Sequence, residues 1–595
     1  MVVPMNKYAF LVHPADYDAF LDGLREAGVL HVQARTADPT EEVIRRRLML
    51  KEVNGVIQQL KKRKIEEPEK TEPSLVTDGL AIVRSVLDLN AEMERHRQQL
   101  ATLEKEIGYL SPWGDFSPEM VHRLENEAGI EVRFFLCPEK KFDPAWQERH
   151  TLEVIHTLPP DQYFVVFSQP GEPLEIHAEE LPTPKFSLSA LKEKKANLEA
   201  AIEEANRQLD RHASRHLPLL EKTLLQIEEE LDLADVLSQT APEADDAVML
   251  LEGFVPEPQE KMLIDFCEKT STVYLGGKSR PKDEPPILLK NNRYASLFEP
   301  IGKLFALPAY AELDLTPFFA PFFMMFFGFC LGDAGYGIVV LLGATIFKFR
   351  AKAELKPLIS LVQWLGLATI LFGTLTGTFF GVNLLEEQFT WLGGIRNFMI
   401  NSDQAFQLAL ILGVVQILFG LFIKTANLTK QHGFKYALTP VGWIILLVSL
   451  IDLGVLKVAA PYSTWTAWAG VGVILLFNDP DAGIFGRLGK GLWELYGITG
   501  FFGDLLSYIR LFALGISSAI LGFVINDISL RILHGIPGLG PVLFVIMLVV
   551  GHSANLLIAS LGSFVHPLRL TFVEFYKNAG FAGGGKAYKP FEKKV

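Results

Sequence analysis

The chain has 595 residues, too many for one ordinary core. Mean hydropathy is positive, at +0.23, although 21% of residues are charged, so a charged part must be joined to a membrane part. A net charge of −13 argues against nucleic acid as the main partner, and three scattered cysteines with no CxxC pair give neither a disulfide framework nor a metal site, which fits a reducing cytosol.

The opening segment, MVVPMNKYAFLVHPADYDAF, has no cationic-then-apolar signal pattern. Residues 1–300 are rich in Glu, Lys and Arg and are expected in the cytosol. Lys7 to Val12 alternates as a strand, Ala15 to Ala27 has helical spacing, and Val29 to Gln33 reads as another strand. A second such unit lies around VMLLEGFVPEP and STVYL. Together, 1–40 and 245–285 are expected to form a proximal α/β lobe.

Two helical stretches lie between these pieces. Val86, Leu89, Met93, His96, Leu100, Leu103, Ile107 and Leu110 recur in steps of three and four, and Leu50, Val53, Ile57 and Leu60 share that period. Leu191, Leu198, Ile202, Ala205, Leu209, His212 and His216 form the other stretch. These are coiled-coil seams over 41–111 and 186–240. The three histidines read as tolerated polar seam positions, with metal binding as the alternative. Residues 112–185, with strand-like runs at 131–136 and 163–167, make a distal α/β lobe. The predicted fold is mainly α: an antiparallel coiled-coil stalk with two small lobes, then a membrane domain over 301–595.

Phe318 to Phe349 is apolar but interrupted by GDAGYG around Asp333, which predicts a tight hairpin of two short segments. Further apolar segments follow at about 358–381, 404–424, 438–457, 465–477, 499–533 and 539–575, giving eight, the last two long. Basic residues cluster after the second, fourth, sixth and eighth segments: Lys348 to Lys356, Lys424 to Lys435, Arg487 and Lys490, and Lys577 to Lys594. The alternate loops are poor in them, and one carries Glu386 and Glu387. Counting the hairpin as two segments puts every basic loop on the side of the N-terminal half, with both termini cytosolic.

Within GDLLSYIRLFALGIS, Arg510 has apolar sequence on both sides. A charge at the bilayer centre costs about 2.5 to 3.5 kcal/mol and usually faces protein or water along an ion path. On a continuous helix Ser507, Ser517 and Ser518 fall near Arg510, with Asp504 further round. The last segment places His552, Asn555, Ala559, Gly562, His566 and Arg569 on one face, with Glu574 beyond it.

SYIRLFALGISSA resembles the signature of the membrane subunit that carries the ion path in rotary V-type and A-type ATPases, called subunit a or, in prokaryotes, subunit I. HPLRLTFVEFYKNAGFAGGGKAYKPF is similar to its C-terminal end, FGFCLGDAGYG to its first membrane hairpin and LLEGFVP to its soluble-domain signature. The likeness runs in order along nearly the whole chain, and the short soluble half resembles the prokaryotic form. It implies a stator subunit in a prokaryotic inner membrane that forms two ion half-channels for H⁺ or Na⁺, without a catalytic site or cofactor of its own. Arg510 then faces the rotating proteolipid ring (c/K subunits) and Arg569 supports it. Asp504 and Glu574 are expected toward the cytosolic half-channel, and His552 and Asn555 toward the external one, with Ser507, Ser517, Ser518 and His566 as further candidates. Other implied partners are E/G-type peripheral-stalk subunits at the lobes and a d/C-type subunit capping the ring. Eukaryotic relatives carry a histidine where Ser518 stands and a glutamate where Ala559 stands, so their channel lining does not carry over at those two positions.

LGGKS at Leu275 to Ser279 lacks the P-loop's first glycine, since Thr272 stands there. The NLT sequon at Asn427 to Thr429 is expected in a basic cytosolic loop. The alternatives are an autonomous secondary transporter, which usually shows two related membrane halves, and a membrane-anchored scaffold, which leaves Arg510 unexplained.

Overall fold

The computed structural model describes the chain except residues 34–37, 64–77, 244–247, 386–397, 459, 536 and 595. It is mainly helical and divides into two compact units, 34–240 with 593–595, and 1–33 with 241–592.

The first unit is built on four helices: α1 (Glu41–Lys61), α2 (Gly79–Leu110), α3 (Leu188–Arg215) and α4 (Leu217–Gln239). Thr40, Asp78 and Ser187 cap three of them by accepting a backbone N–H of the first turn. The expected seam is buried: Val53, Ile57, Leu60, Val86 and Met93 meet Ala205, Leu209, Leu220 and Ile227. Ion pairs fix the antiparallel pairing, Lys195 with Glu104 between α3 and α2, and Lys61 with Glu221 between α1 and α4, each at 2.7 Å. The second predicted stretch is not one helix. It breaks at His216, and Pro218 starts α4, where its missing N–H costs no helix bond. The distal lobe is an antiparallel sheet in the order Thr151–Leu158, Asp161–Ser168, Glu131–Pro138, Glu179–Leu181. The two runs read from the sequence are its central strands.

In the second unit, Met5–Val12 is the centre of an antiparallel sheet between Val248–Pro256 and Val273–Lys278, and His31–Val32 pairs on the far side of Val248–Pro256. The LGGKS stretch therefore enters as an extended strand. Residues after the last membrane helix close this lobe. Ala587 bridges to Ile287 and Gly585 to Leu307; Phe591 N–H donates to the Leu30 carbonyl, and the Tyr588 hydroxyl donates to the Val29 carbonyl.

Among the described residues, five helical stretches are long and apolar enough to cross a membrane: Ala353–Thr376, Ser402–His432, Phe434–Leu456, Ile484–Gly535 and Gly540–Asn578. Shorter apolar helices stand at α5 (Thr316–Leu331), α6 (Ala334–Arg350) and Ala460–Phe477; the last two, of 17 and 18 residues, are at the short limit for a span. α5 and α6 pack on α7 (Lys356–Thr376) in opposite directions, Gly328 beside Ala368, and Gly337 and Ala334 beside Gly366 and Gly373. The chain therefore reverses at Gly332 and Asp333, as the GDAGYG motif predicts. Gly332 has φ +53°, a conformation open to glycine. Asp333 is 1% exposed, and its carboxylate accepts N–H bonds from Tyr336 (3.1 Å), Phe380 (2.9 Å) and Gly381 (2.8 Å). It thus ties the hairpin to the small ribbon that follows α7. Asn427 corrects one expectation: it lies inside α8 (Ser402–His432), buried, accepting N–H bonds from Leu313 and Gln431, because α8 runs past its apolar stretch into the basic residues. Glu386 and Glu387 lie outside the described residues.

Candidate functional site

The segment around Arg510 departs from the continuous helix read in the sequence. α9 (Ile498–Ser507) ends just before Tyr508, and α10 (Ile509–Gly535) begins just after it. Tyr508 is fully buried, its hydroxyl donates to Gln416 Oε1 on α8 at 2.6 Å, and its ring packs edge-on against Phe326. Gly413 makes room for that ring, since a Cβ there would stand 2.7 Å from it. The break is thus locked immediately ahead of the arginine.

Arg510 Nη1 is enclosed yet has no hydrogen-bond partner. Its guanidinium lies within electrostatic reach of Glu574, His566 and Cys330. Glu574 sits on a π-helical segment, Leu570–Phe575, that follows α11 (Gly540–Arg569) shortly after Pro567. It is 2% exposed, and its Oε2 also lacks a partner. Ser507 approaches the same carboxylate from the end of α9. A cation and a carboxylate enclosed near each other with unsatisfied atoms are costly unless something else completes the site.

Asp504 is held differently. Lys577 Nζ donates to both its oxygens, at 2.8 and 2.9 Å, and Asn578 Nδ2 donates to Oδ2 at 3.0 Å and to the Glu574 carbonyl at 2.7 Å. The carboxylate therefore fixes the turn that carries Glu574.

His552, Asn555 and Ser518 form a separate cluster. Asn555 Nδ2 donates to the Tyr336 hydroxyl (2.8 Å) and to the Ser518 carbonyl (3.1 Å). Because that hydroxyl accepts from Asn555, its own hydrogen points to His552 Nδ1, 2.7 Å away. His552 Nε2 then carries the proton and donates to Asn526 Oδ1 at 2.9 Å, while Asn526 Nδ2 donates to the Phe380 carbonyl. This orders a neutral imidazole against the Asp333 turn. The Ser518 hydroxyl is buried without a partner. Ser517 and Arg569 are exposed or partly so, and His566 lies near both arginines. The single polar face read along the last helix is thus divided between a packed cluster at His552 and Asn555 and a more open end at Arg569. A cavity of about 370 Å³ lies against α10, lined by Phe512, Gly515 and Ile516 and by the polar Thr376, Asn383 and Asn401.

Sequence reading did not single out Gln416, Asn526, Tyr336, Lys577 or Asn578. Gln416 and Asn526 carried a signal, as lone amides within apolar runs. The others are assigned only by contacts distant in sequence.

Residues 178–359 match the V-type ATPase 116kDa subunit family. V-type ATP synthase subunit I of Borreliella burgdorferi is 24% identical over 100% of this chain and 100% of its own length. A-type ATP synthase subunit I of Methanothermobacter thermautotrophicus is 32% identical over 57% of this chain and 50% of its own. This chain is similar to ATP synthase subunit I. The crystal structure of the cytoplasmic N-terminal domain of subunit I, homolog of subunit a, of V-ATPase matches over 46% of this chain and 100% of its own at 16% identity and a TM-score of 0.22. The family match takes in the Asp333 hairpin and ends before Arg510, whereas the Borreliella likeness spans the whole chain.

Proposed function

We propose that this chain is the stator membrane subunit of a rotary V/A-type ATPase, and that Arg510 faces the carboxylates of a rotating proteolipid ring. The observation that carries this reading is a guanidinium nitrogen, Arg510 Nη1, enclosed and left unbonded on a helix of membrane-spanning length. A fixed cation in that position favours the charged form of a passing carboxylate, so its pKa falls and its ion leaves. Arginine never gives up its own proton at any relevant pH, so it blocks a direct leak. An ion-loaded carboxylate is neutral and can turn into lipid, while an empty one cannot do so cheaply. One elementary charge moved through 100 mV exchanges about 2.3 kcal/mol, which becomes ring rotation coupled to ATP hydrolysis or synthesis on partner subunits.

In this reading Glu574 and Ser507 serve the cytosolic half-channel, with Asp504 as their support. His552 and Asn555 belong to the external path, and Arg569 supports Arg510 electrostatically. The N-terminal lobes hold E/G-type stalk subunits, a d/C-type subunit caps the ring, and both termini lie in the cytoplasm of a prokaryote. The test is ATP-driven ion uptake in vesicles carrying the assembled complex, wild type against Arg510→Gln. Uptake should vanish while assembly and detergent-solubilised ATPase activity persist. Wild-type uptake in the variant would make the arginine structural and overturn the reading.

A further inference from the structure

Outside the membrane domain, one side-chain cluster is unexplained by packing. α3 ends at Arg215, His216 caps it, and α4 starts at Leu217. At this joint His212 and His216 turn their Nδ1 atoms toward each other at 3.2 Å, with ring centroids 5.1 Å apart. Sequence spacing alone favours polar seam positions for both. Facing ring nitrogens suggest a different role.

Two imidazole nitrogens bound to one zinc at ~2.0–2.1 Å and the tetrahedral angle stand about 3.3 to 3.4 Å apart, close to the 3.2 Å between these two. The outer side of His212 supports this. Its Nε2 faces Ser85 Oγ on α2 at 3.5 Å, and an Nε2–H donated there leaves Nδ1 as a bare lone pair. A ligating histidine is normally oriented by such a contact on its other nitrogen. Both rings are partly accessible, so an ion has an entry path.

We propose that His212 and His216 chelate a divalent first-row transition ion of the Zn²⁺ or Cu²⁺ class, with Ser85 as the positioning residue. Among the described residues no group of three or more His, Cys, Asp and Glu converges, so water completes the coordination and binding is reversible. The charge of Arg215 acts on His216 and works against the cation, which weakens the site further. Binding pins the last turn of α3 to the start of α4. The joint is then stiff when the ion is present and freer when it is not. Imidazole with water suits Zn, Cu, Ni and Co, and excludes Mg and Ca.

The test is a Co²⁺ titration of the purified, metal-stripped full chain, followed by the visible band of the bound ion and displaced with Zn²⁺. The wild type should bind one equivalent at this site. His216→Gln should abolish that band, Ser85→Ala should weaken it by about tenfold, and His96→Ala should leave it unchanged. Zn²⁺ should raise the thermal midpoint of the wild type and not that of His216→Gln. Identical titrations for wild type and His216→Gln would overturn the proposal. So would a wild type with no band, in which the imidazoles merely share a proton. If His216→Gln fails to fold, the Ser85→Ala titration decides: wild-type affinity there would also overturn it.

Discussion

Lys577 and Asp504 form a two-pronged ion pair, with the lysine half exposed and the carboxylate nearly enclosed. Solvent screens the lysine end, so the pair adds little by itself. Removing the lysine is another matter, because it leaves a buried carboxylate held by Asn578 alone. Lys577→Met should lower stability by about 1 to 2 kcal/mol, and Asp504→Asn should cost less because the half-exposed lysine it strands can turn to solvent while the amide oxygen still accepts from Asn578. Thermal scans of the two variants in one detergent check the order.

The Tyr508 hydroxyl donates to Gln416 Oε1 in a fully buried setting, where Gln416 Nε2 has no partner. Tyr508→Phe strands the amide oxygen and should cost about 1 to 3 kcal/mol. Tyr508→Phe combined with Gln416→Leu should recover part of that loss, since no orphaned polar atom remains. A double-mutant cycle on the thermal midpoint measures the coupling, and strict additivity would refute it.

Asp333 collects three backbone N–H groups with two oxygens. An asparagine in its place would present one of those donors with an NH₂ group. Asp333→Asn should therefore loosen the ribbon at 378–383 from the hairpin and cost about 2 kcal/mol. Labelling rates of a cysteine placed at Thr378, compared with and without the substitution, report the loosening.

His212 and His216 are both held below the ordinary histidine range, chiefly by burial, with their mutual repulsion acting on His212 and the charge of Arg215 on His216. The unfolded chain takes up protons near pH 6.5 that the folded joint refuses. Stability of residues 34–240 should thus be level above that pH and fall as the pH drops through it. Urea unfolding of the metal-free chain between pH 7.5 and 5.5 checks this, and His212→Phe should flatten the slope.

Much of the fold was legible because its signals are local. The seam period over 86–110 and 191–216, the alternation of Lys7 to Val12 and the Gly-Asp reversal at 332–333 each depend on near neighbours. What escaped depends on distant contacts. The break at Tyr508 is set by Gln416 and Gly413 on another helix, so a wheel drawn through Ser507 and Arg510 assumed a helix that does not continue. The partition of the last helix's polar face likewise required Tyr336 and Asn526. Arg510 was legible on its own, because a lone cation in an apolar run has few explanations; that Glu574 and His566 lie near it was not.

The bridging of residues 585–591 to Leu30 and Ile287 has a consequence for biosynthesis. The lobe built on Met5–Val12 lacks its closing segment until the final membrane helix has been made, because that segment follows the helix in the chain. Contacts so distant in sequence form late and slowly. The lobe can thus reach its finished state only after every membrane helix of the chain has been synthesised, so its folding cannot run ahead of the membrane domain's synthesis.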